Sequence, residues 1–388
     1  MRLAALACLA CASLAATGPA QPLVIKDLKA PSALLRATSE GDERITSLLR
    51  EAITRDGIPA AGAIVLSSQG PIALGVAGTR KHGVNIPVTI GDKWHLGSNT
   101  KAMTATLVAM QVERGKLRWD STMGEVFAGV PDMNEAMRGV TIEQLVTHHG
   151  GCGPNLPWAL LPVSGTLPDA RLDAMEALLQ TTPPRKPGGE AAYSNTGYVL
   201  LGTVIETIEK KSWEEVLVRD ILGPLRMDSA NFGGTGTVGQ VDQPWPHLAN
   251  DKPAPRNGPS MDNPGIMAAA GGVHATLEDY GKFVREHLRG ARGEGTLLKP
   301  ETYARLHAAP YGDGYACGWM TAHRDWGGKV LNHAGSNTMN YVVTWIAPEK
   351  DFAVVVALNV GDDAAAKTAD GIAWSLIEEY LLKAEPTE

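Results

Sequence analysis

Only four cysteines occur in the 388 residues, and two of them, Cys8 and Cys11, fall near the N-terminus. The remaining pair, Cys152 and Cys317, is too sparse for a disulfide scaffold, and neither has the CxxC or Cys/His spacing of a zinc site. We expect two unpaired buried thiols, with a bridge as the alternative that an oxidising compartment permits. Aromatic residues make up 5% of the chain, no basic run occurs, and the formal net charge is -7, so no footprint for nucleic acid is present. No apolar run reaches the roughly 20 residues of a membrane-spanning helix. GxSxG is absent, which excludes the nucleophile elbow of α/β-hydrolases, and so are HExxH and HxH, which leaves no metal-hydrolase pattern. No metal and no organic cofactor is expected.

What is present describes a protein with a sizeable core: 44% hydrophobic and 20% charged residues. The length implies two lobes, or a sheet domain carrying a large insertion. The opening segment MRLAALACLACASLAATGPAQP has one arginine, an apolar run from Leu3 to Ala16, then small residues and proline. It reads as a secretory signal cleaved after Ala20, leaving a periplasmic or secreted protein with no stable membrane span. Neither Cys8 nor Cys11 has leucine three residues before it, which disfavours a lipoprotein.

Ile45, Leu48, Leu49 and Ile53 repeat at helical spacing, and AGAIVLSSQ and IALGVAG then read as a hairpin turning at Gly70 and Pro71. From Ser98 to Leu225 the periodicity is helical, over 98–114, 141–148, 169–180, 196–210 and 213–222. Residues 231–266 form a long irregular segment of the kind that carries function. A helix, ATLEDYGKFVREHL, precedes four strand-like runs, YACGWMTAHRD, KVLNHAG, NYVVTWIAP and DFAVVVALNV, and a helix over 364–382 closes the pattern. This order predicts one antiparallel sheet built from both ends of the chain, as a discontinuous domain of 21–97 and 268–388, with a mainly helical domain, 98–267, inserted.

Within LGSNTKAMTATLVAM, Lys101 is the only charged side chain, three residues after Ser98. On a helix those positions share a face, so the amine can reach the hydroxyl and handle its proton, while the helix N-terminus favours a developing oxyanion. Ser-x-x-Lys alone is weak, since serine caps helices and lysine is common on surfaces. GGEAAYSNTGYVLLG adds Tyr193, a phenol for proton transfer, and Asn195, an amide for a substrate carbonyl, just before a helix. KVLNHAGSN adds His333, able to hydrogen-bond or carry charge, and Gly335, which lets a substrate approach the backbone.

In this order and spacing the three stretches resemble the serine penicillin-recognising family: class C β-lactamases, DD-peptidases, D-aminopeptidases and β-lactamase-like esterases. LVTHHGG, ILGPLRMDSANFG and AAAGGVHATLEDYGKF are similar to further stretches of that family, so the resemblance covers nearly the whole mature chain. It implies an α/β fold of the α+β type, a β-lactamase/transpeptidase-like antiparallel sheet flanked by helices with an inserted all-helical domain. It also implies Ser98 as acylated nucleophile, Lys101 and Tyr193 as a joint proton-handling pair, and Asn195, His333, Gly335 and Ser336 around the substrate. The N–H groups of Ser98 and Ser336 would then form the oxyanion hole. His333 stands where β-lactamases of this class carry lysine, which favours an ester or amide hydrolase acting on a small-molecule or peptide acyl donor. A true β-lactamase, a D-Ala-D-Ala carboxypeptidase or penicillin-binding protein, and a non-catalytic penicillin-sensor-like binding domain are the alternatives.

Several features are expected to be structural. Gly234, Gly236 and Gly239 spell GxGxxG, but SANF before them is no buried strand and no helix can open at QVDQPWP. His148 is read as a turn histidine, with a place at the site as its alternative, and Asn155 as a residue that could reach substrate. Trp158, Trp245 and Trp326 are expected to pack against their own surroundings.

Overall fold

Residues 60–66 set the architecture. Ala60, Ile64 and Leu66 enter one apolar cluster and Ala61, Ala63 and Val65 another, the two-residue alternation of a strand with a core on each side. A sheet apolar on both faces needs helices above and below. The computed structural model describes residues 39–157, 166–248, 252–253 and 258–383, and they form such a sandwich. The expected signal, Cys8, Cys11 and Trp158 lie outside the described residues.

Helix α1 (Glu43–Asp56) is capped by Asp42, whose carboxylate accepts the Arg44 N–H at 2.9 Å, and stops at Gly57 in the left-handed region. Strands β1 (Ala60–Ser67), β2 (Gly70–Lys81), β3 (Val84–Pro87) and β4 (Lys93–His95) follow. The helical part holds α2 (Thr100–Glu113), α3 (Leu167–Leu179), α4 (Asn195–Glu209) and α5 (Trp213–Leu217), the last continuing as a π-helical turn through Leu222. After β5 (Asn231–Phe232) come β6 (Val273–Thr276), α6 (Leu277–Ala291), β7 (Met320–Arg324), β8 (Gly328–Ser336), β9 (Tyr341–Ala347), β10 (Phe352–Leu358) and α7 (Asp363–Ile377).

The main sheet runs β3-β2-β1-β10-β9-β8-β7 with every neighbouring pair antiparallel, so strands from both ends of the chain meet where β1 pairs with β10. Helices α1 and α7 cover one face through Ile45, Leu49, Ile372 and Leu376, and α6 covers the other through Leu277, Tyr280 and Phe283. Helix α2 is buried all round from Thr100 to Gln111, which explains why its sequence lacks a polar face.

Three readings are corrected. The strand expected across YACGWMTAHRD shortens to Met320–Arg324, because Gly318 turns at φ +77°, where a Cβ would stand 2.6 Å from the Ala102 Cα. The helix expected over 141–148 ends at Val146, because His148 adopts φ 64°. Asn231–Phe232, read as no buried strand, pairs with β6 in a small sheet of order β4-β6-β5, with Phe232 buried. Even so, no helix follows the GxGxxG glycines, and a Cβ on Gly234 would meet the Ser260 backbone at 2.4 Å. The thiols of Cys152 and Cys317 are free and buried, and burial pushes each up to about 12. Trp245 donates its indole N–H to the Gln240 carbonyl at 3.0 Å and Trp326 stands edge-on to Trp345, so both pack within their own surroundings.

Candidate active site

Strand β4 ends at His95, and the chain makes a 3-10 turn over Gly97–Asn99 before continuing as α2. Ser98 and Lys101 thereby lie one turn apart, with Lys101 Nζ 3.0 Å from Ser98 Oγ. The lysine is 0% exposed, so its amine depends on protein acceptors. It donates to Asn195 Oδ1 at 2.7 Å and to the Ala270 carbonyl at 2.7 Å. Ser98 completes three acceptors, the number an ammonium can use. The rings of Tyr193 and Tyr198 lie 4.8 and 5.5 Å from Nζ, adding cation–π attraction.

Tyr193 and Asn195 flank Ser194, the N-cap of α4, whose hydroxyl accepts the Gly197 N–H at 2.9 Å and donates to the Gly153 carbonyl at 2.6 Å. The cap sets both neighbours: Asn195 turns inward to Lys101, while Tyr193 remains 41% exposed at the mouth of the site. The Asn195 amide donates to Asn155 Oδ1 at 2.8 Å, so Asn155 fixes which end of that amide faces the lysine.

His148 occupies both positions proposed for it. Its φ of 64° makes the turn, and its ring packs among Tyr193, Tyr198 and Tyr315 with centroids 4.4 to 5.3 Å away. It also brackets Tyr193 along the backbone. The His148 carbonyl accepts the Ala192 N–H at 2.9 Å and Nδ1 accepts the Ser194 N–H at 3.1 Å. That second bond requires an unprotonated Nδ1, and burial, with the Lys101 charge adding to it, holds His148 well below the usual histidine range.

His333, Gly335 and Ser336 lie at the end of β8. The His333 ring is 3% exposed; Nδ1–H donates to the Ala334 carbonyl at 2.8 Å, leaving Nε2 to accept from the Tyr315 hydroxyl at 3.4 Å. Burial first, then the Lys101 charge, lowers its pKa to about 3. Of the two roles expected for this residue, hydrogen bonding or charge, the neutral one is therefore left. A Cβ on Gly335 would stand 2.2 Å from the Leu96 carbonyl and 2.7 Å from Ser98 N, and one on Gly97 (φ +51°) 2.6 Å from Ser336 N. The Ser98 turn and β8 thus meet backbone to backbone, and only glycine fits at either contact. Ser336 Oγ is turned away, donating to the Gly361 carbonyl at 3.1 Å and accepting the Thr338 N–H at 2.9 Å.

All seven residues singled out in the sequence therefore fall at one junction, between β8, the start of α2 and the start of α4. Ala270, Tyr198 and Tyr315 were not singled out. A carbonyl acceptor carries no side-chain signature, although the small-residue run AAAGG that allows its approach was visible. The arrangement provides a half-buried hydroxyl beside a buried amine and an exposed phenol, with the Ser98 and Ser336 backbones in close contact.

The chain is similar to several known proteins. Protein flp of Staphylococcus aureus (strain NCTC 8325 / PS 47) is 22% identical over 356 residues, covering 88% of this chain and 68% of that protein. Penicillin-binding protein 4 of Amycolatopsis lactamdurans is 26% identical over 300 residues, covering 74% and 77%. The fold is shared with the octameric penicillin-binding protein homologue from Pyrococcus abyssi (TM-score 0.68, 23% identity, 87% of this chain and 78% of that one). It is shared equally with a class C beta lactamase from Rhodobacter sphaeroides (TM-score 0.68, 21% identity, 87% and 99%). The Beta-lactamase family model matches residues 45–377, and the chain belongs to that family of serine hydrolases.

Proposed function

We propose that the chain is an exported serine hydrolase that cleaves an ester or amide through an acyl-enzyme on Ser98. The observation that carries this reading is the buried Lys101 amine 3.0 Å from Ser98 Oγ, held there by Asn195 and the Ala270 carbonyl. In acylation Ser98 Oγ attacks the acyl carbon and its proton passes to the Lys101/Tyr193 pair. The carbonyl oxygen takes the displaced electron pair and is stabilised by the N–H groups of Ser98 and Ser336. Collapse expels the alcohol or amine, which leaves with the proton returned through Tyr193. Water then repeats the sequence on the ester, with the same pair as base, and frees the acid. Export rests on the apolar run Leu3–Ala16 followed by small residues.

The neutral His333 bears on the acyl donor. A β-lactam carries a carboxylate beside its reactive carbonyl, and a lysine at the end of β8 would offset that charge, whereas an uncharged imidazole supplies none. Uncharged esters and amides are therefore the preferred donors. The test compares kcat/KM for p-nitrophenyl acetate and for a chromogenic cephalosporin, on wild type and Ser98→Ala. The reading expects the ester to be the better substrate and both activities to vanish in the variant. Ester hydrolysis retained at the wild-type rate by Ser98→Ala would reject it.

A further inference from the structure

Asp262 lies in the segment 231–266, outside the group of residues described above, and touches both strips of chain that frame the crevice. His95 Nε2 is 2.8 Å from Asp262 Oδ1, with side-chain exposures of 1% and 8%, although the ring N–H is not aligned on that oxygen. The other ring nitrogen of His95, Nδ1, accepts the Gly97 N–H at 3.2 Å, one residue before Ser98. The same carboxylate oxygen accepts the Asn337 side-chain N–H at 3.1 Å and the Asn263 N–H at 2.7 Å. Asn337 follows Ser336, is 2% exposed, and organises the turn after β8: its Oδ1 accepts the N–H groups of Met339 at 3.2 Å and Asn340 at 2.9 Å.

The electrostatics run in one direction. A carboxylate beside Nε2 favours the tautomer with its proton there, which leaves the lone pair on Nδ1 for the Gly97 N–H. That bond holds the peptide leading into Ser98, in a glycine whose φ of +51° is already set by the close approach of β8. Through Asn337, the negative charge holds the turn leading out of Ser336. One carboxylate, 8% exposed, thus ties together the strip that leads into Ser98 and the turn that follows Ser336.

From this we infer that Asp262 is a positioning residue, which through His95 and Asn337 sets the spacing of the Ser98 and Ser336 N–H groups that receive the oxyanion. The inference rests on the acyl-enzyme reading and adds to it a residue that does not touch substrate. Small displacements matter at such a site, because a shift of about 1 Å in a reacting group can cost about a hundredfold in rate.

The test measures phosphonylation of Ser98 by a fluorophosphonate probe in wild type, Asp262→Ala, Asp262→Asn and Ser98→Ala. In that reaction the Ser98 oxygen bonds to phosphorus, fluoride departs, and the hydroxyl proton goes to the Lys101/Tyr193 pair. The phosphoryl oxygen occupies the oxyanion position, so the labelling rate reports on the N–H pair, while the labelling endpoint counts folded sites. For Asp262→Ala we expect a rate reduced about ten- to a hundredfold with a full endpoint. Asp262→Asn keeps an oxygen acceptor for Asn337 and Asn263, and should recover part of the rate. Wild-type labelling rates in Asp262→Ala, or a loss matched by its reduced endpoint, would overturn the inference alone. A wild type that takes no label at Ser98 would overturn the acyl-enzyme reading and this inference with it.

Discussion

Lys101 has no exposed surface, yet it carries the amine on which the site turns. A buried cation is costly unless its donors are met, and here the hydroxyl of Ser98 is one of the three groups that meet them. Lys101→Ala should therefore lower kcat/KM for p-nitrophenyl acetate by about 10² to 10⁴-fold, the range for a positioned proton-transfer group; an unimpaired variant would separate the lysine from the chemistry. Gly335→Ala should be as damaging without removing any functional group, because the new methyl would stand 2.7 Å from Ser98 N and 2.2 Å from the Leu96 carbonyl. The expected result is a loss of at least about a hundredfold in the same assay. Ser98, Lys101, Tyr193 and Asn195 were legible in the sequence because each is a distinctive side chain at a helix start. The neutrality of His333 was not, since burial and the distance to Lys101 come from the fold. Asp262 was not either, because a single carboxylate in a polar segment has no pattern.

At the scale of elements, the helical part is tied by a buried charge cluster. Arg171 of α3 donates to both Glu214 oxygens at 2.9 and 2.6 Å and lies 2.9 Å from Glu206, which also accepts the Trp213 N–H at 2.9 Å. These contacts join α3 to α4 and α5. Removing the arginine would strand two acids in the interior, so Arg171→Ala should lose about 3–5 kcal/mol in urea unfolding. A loss below about 1 kcal/mol would show that the acids are rehydrated when the partner goes. The helices α1, α3, α4 and α6 were legible from apolar spacing, and the structure adds the residue that caps each, Asp42, Thr166, Ser194 and Thr276 respectively. Short elements were not: the helices Met123–Val126 and Glu135–Arg138 and the strand β4 are each under one and a half turns or three residues long, too brief for periodicity to register. Strand β5 escaped for the same reason, and pairs only because the β6 edge is beside it.

The whole molecule buries histidines in numbers that govern its response to acid. His148, His274, His287, His307 and His333 are all held below the ordinary value of 6.5 by burial, His274 at about 4 and His287 and His333 at about 3. A depressed folded value means that the unfolded chain binds protons first. The stability these groups contribute is full above pH 6.5 and is lost progressively as the pH falls toward 3. Glu206 opposes them: burial raises it to about 7, so the folded state holds its proton more tightly and gains as the pH falls from 7 toward 4.5. Asp92 and Asp370, also raised by burial, act with Glu206, but the five histidines outnumber these three acids, and the melting temperature is expected to drop between pH 7 and pH 4 by calorimetry; a constant or rising value would contradict the balance.

Acylation of Ser98 Oγ is the step on which the proposed activity depends. Its most direct test is acid-quenched peptide mass mapping after brief exposure of wild type and Ser98→Ala to p-nitrophenyl acetate. One acetyl group is expected on the peptide carrying Ser98 in wild type and none in the variant. An acetyl group on another residue, with Ser98 unmodified and ester turnover intact, would contradict it.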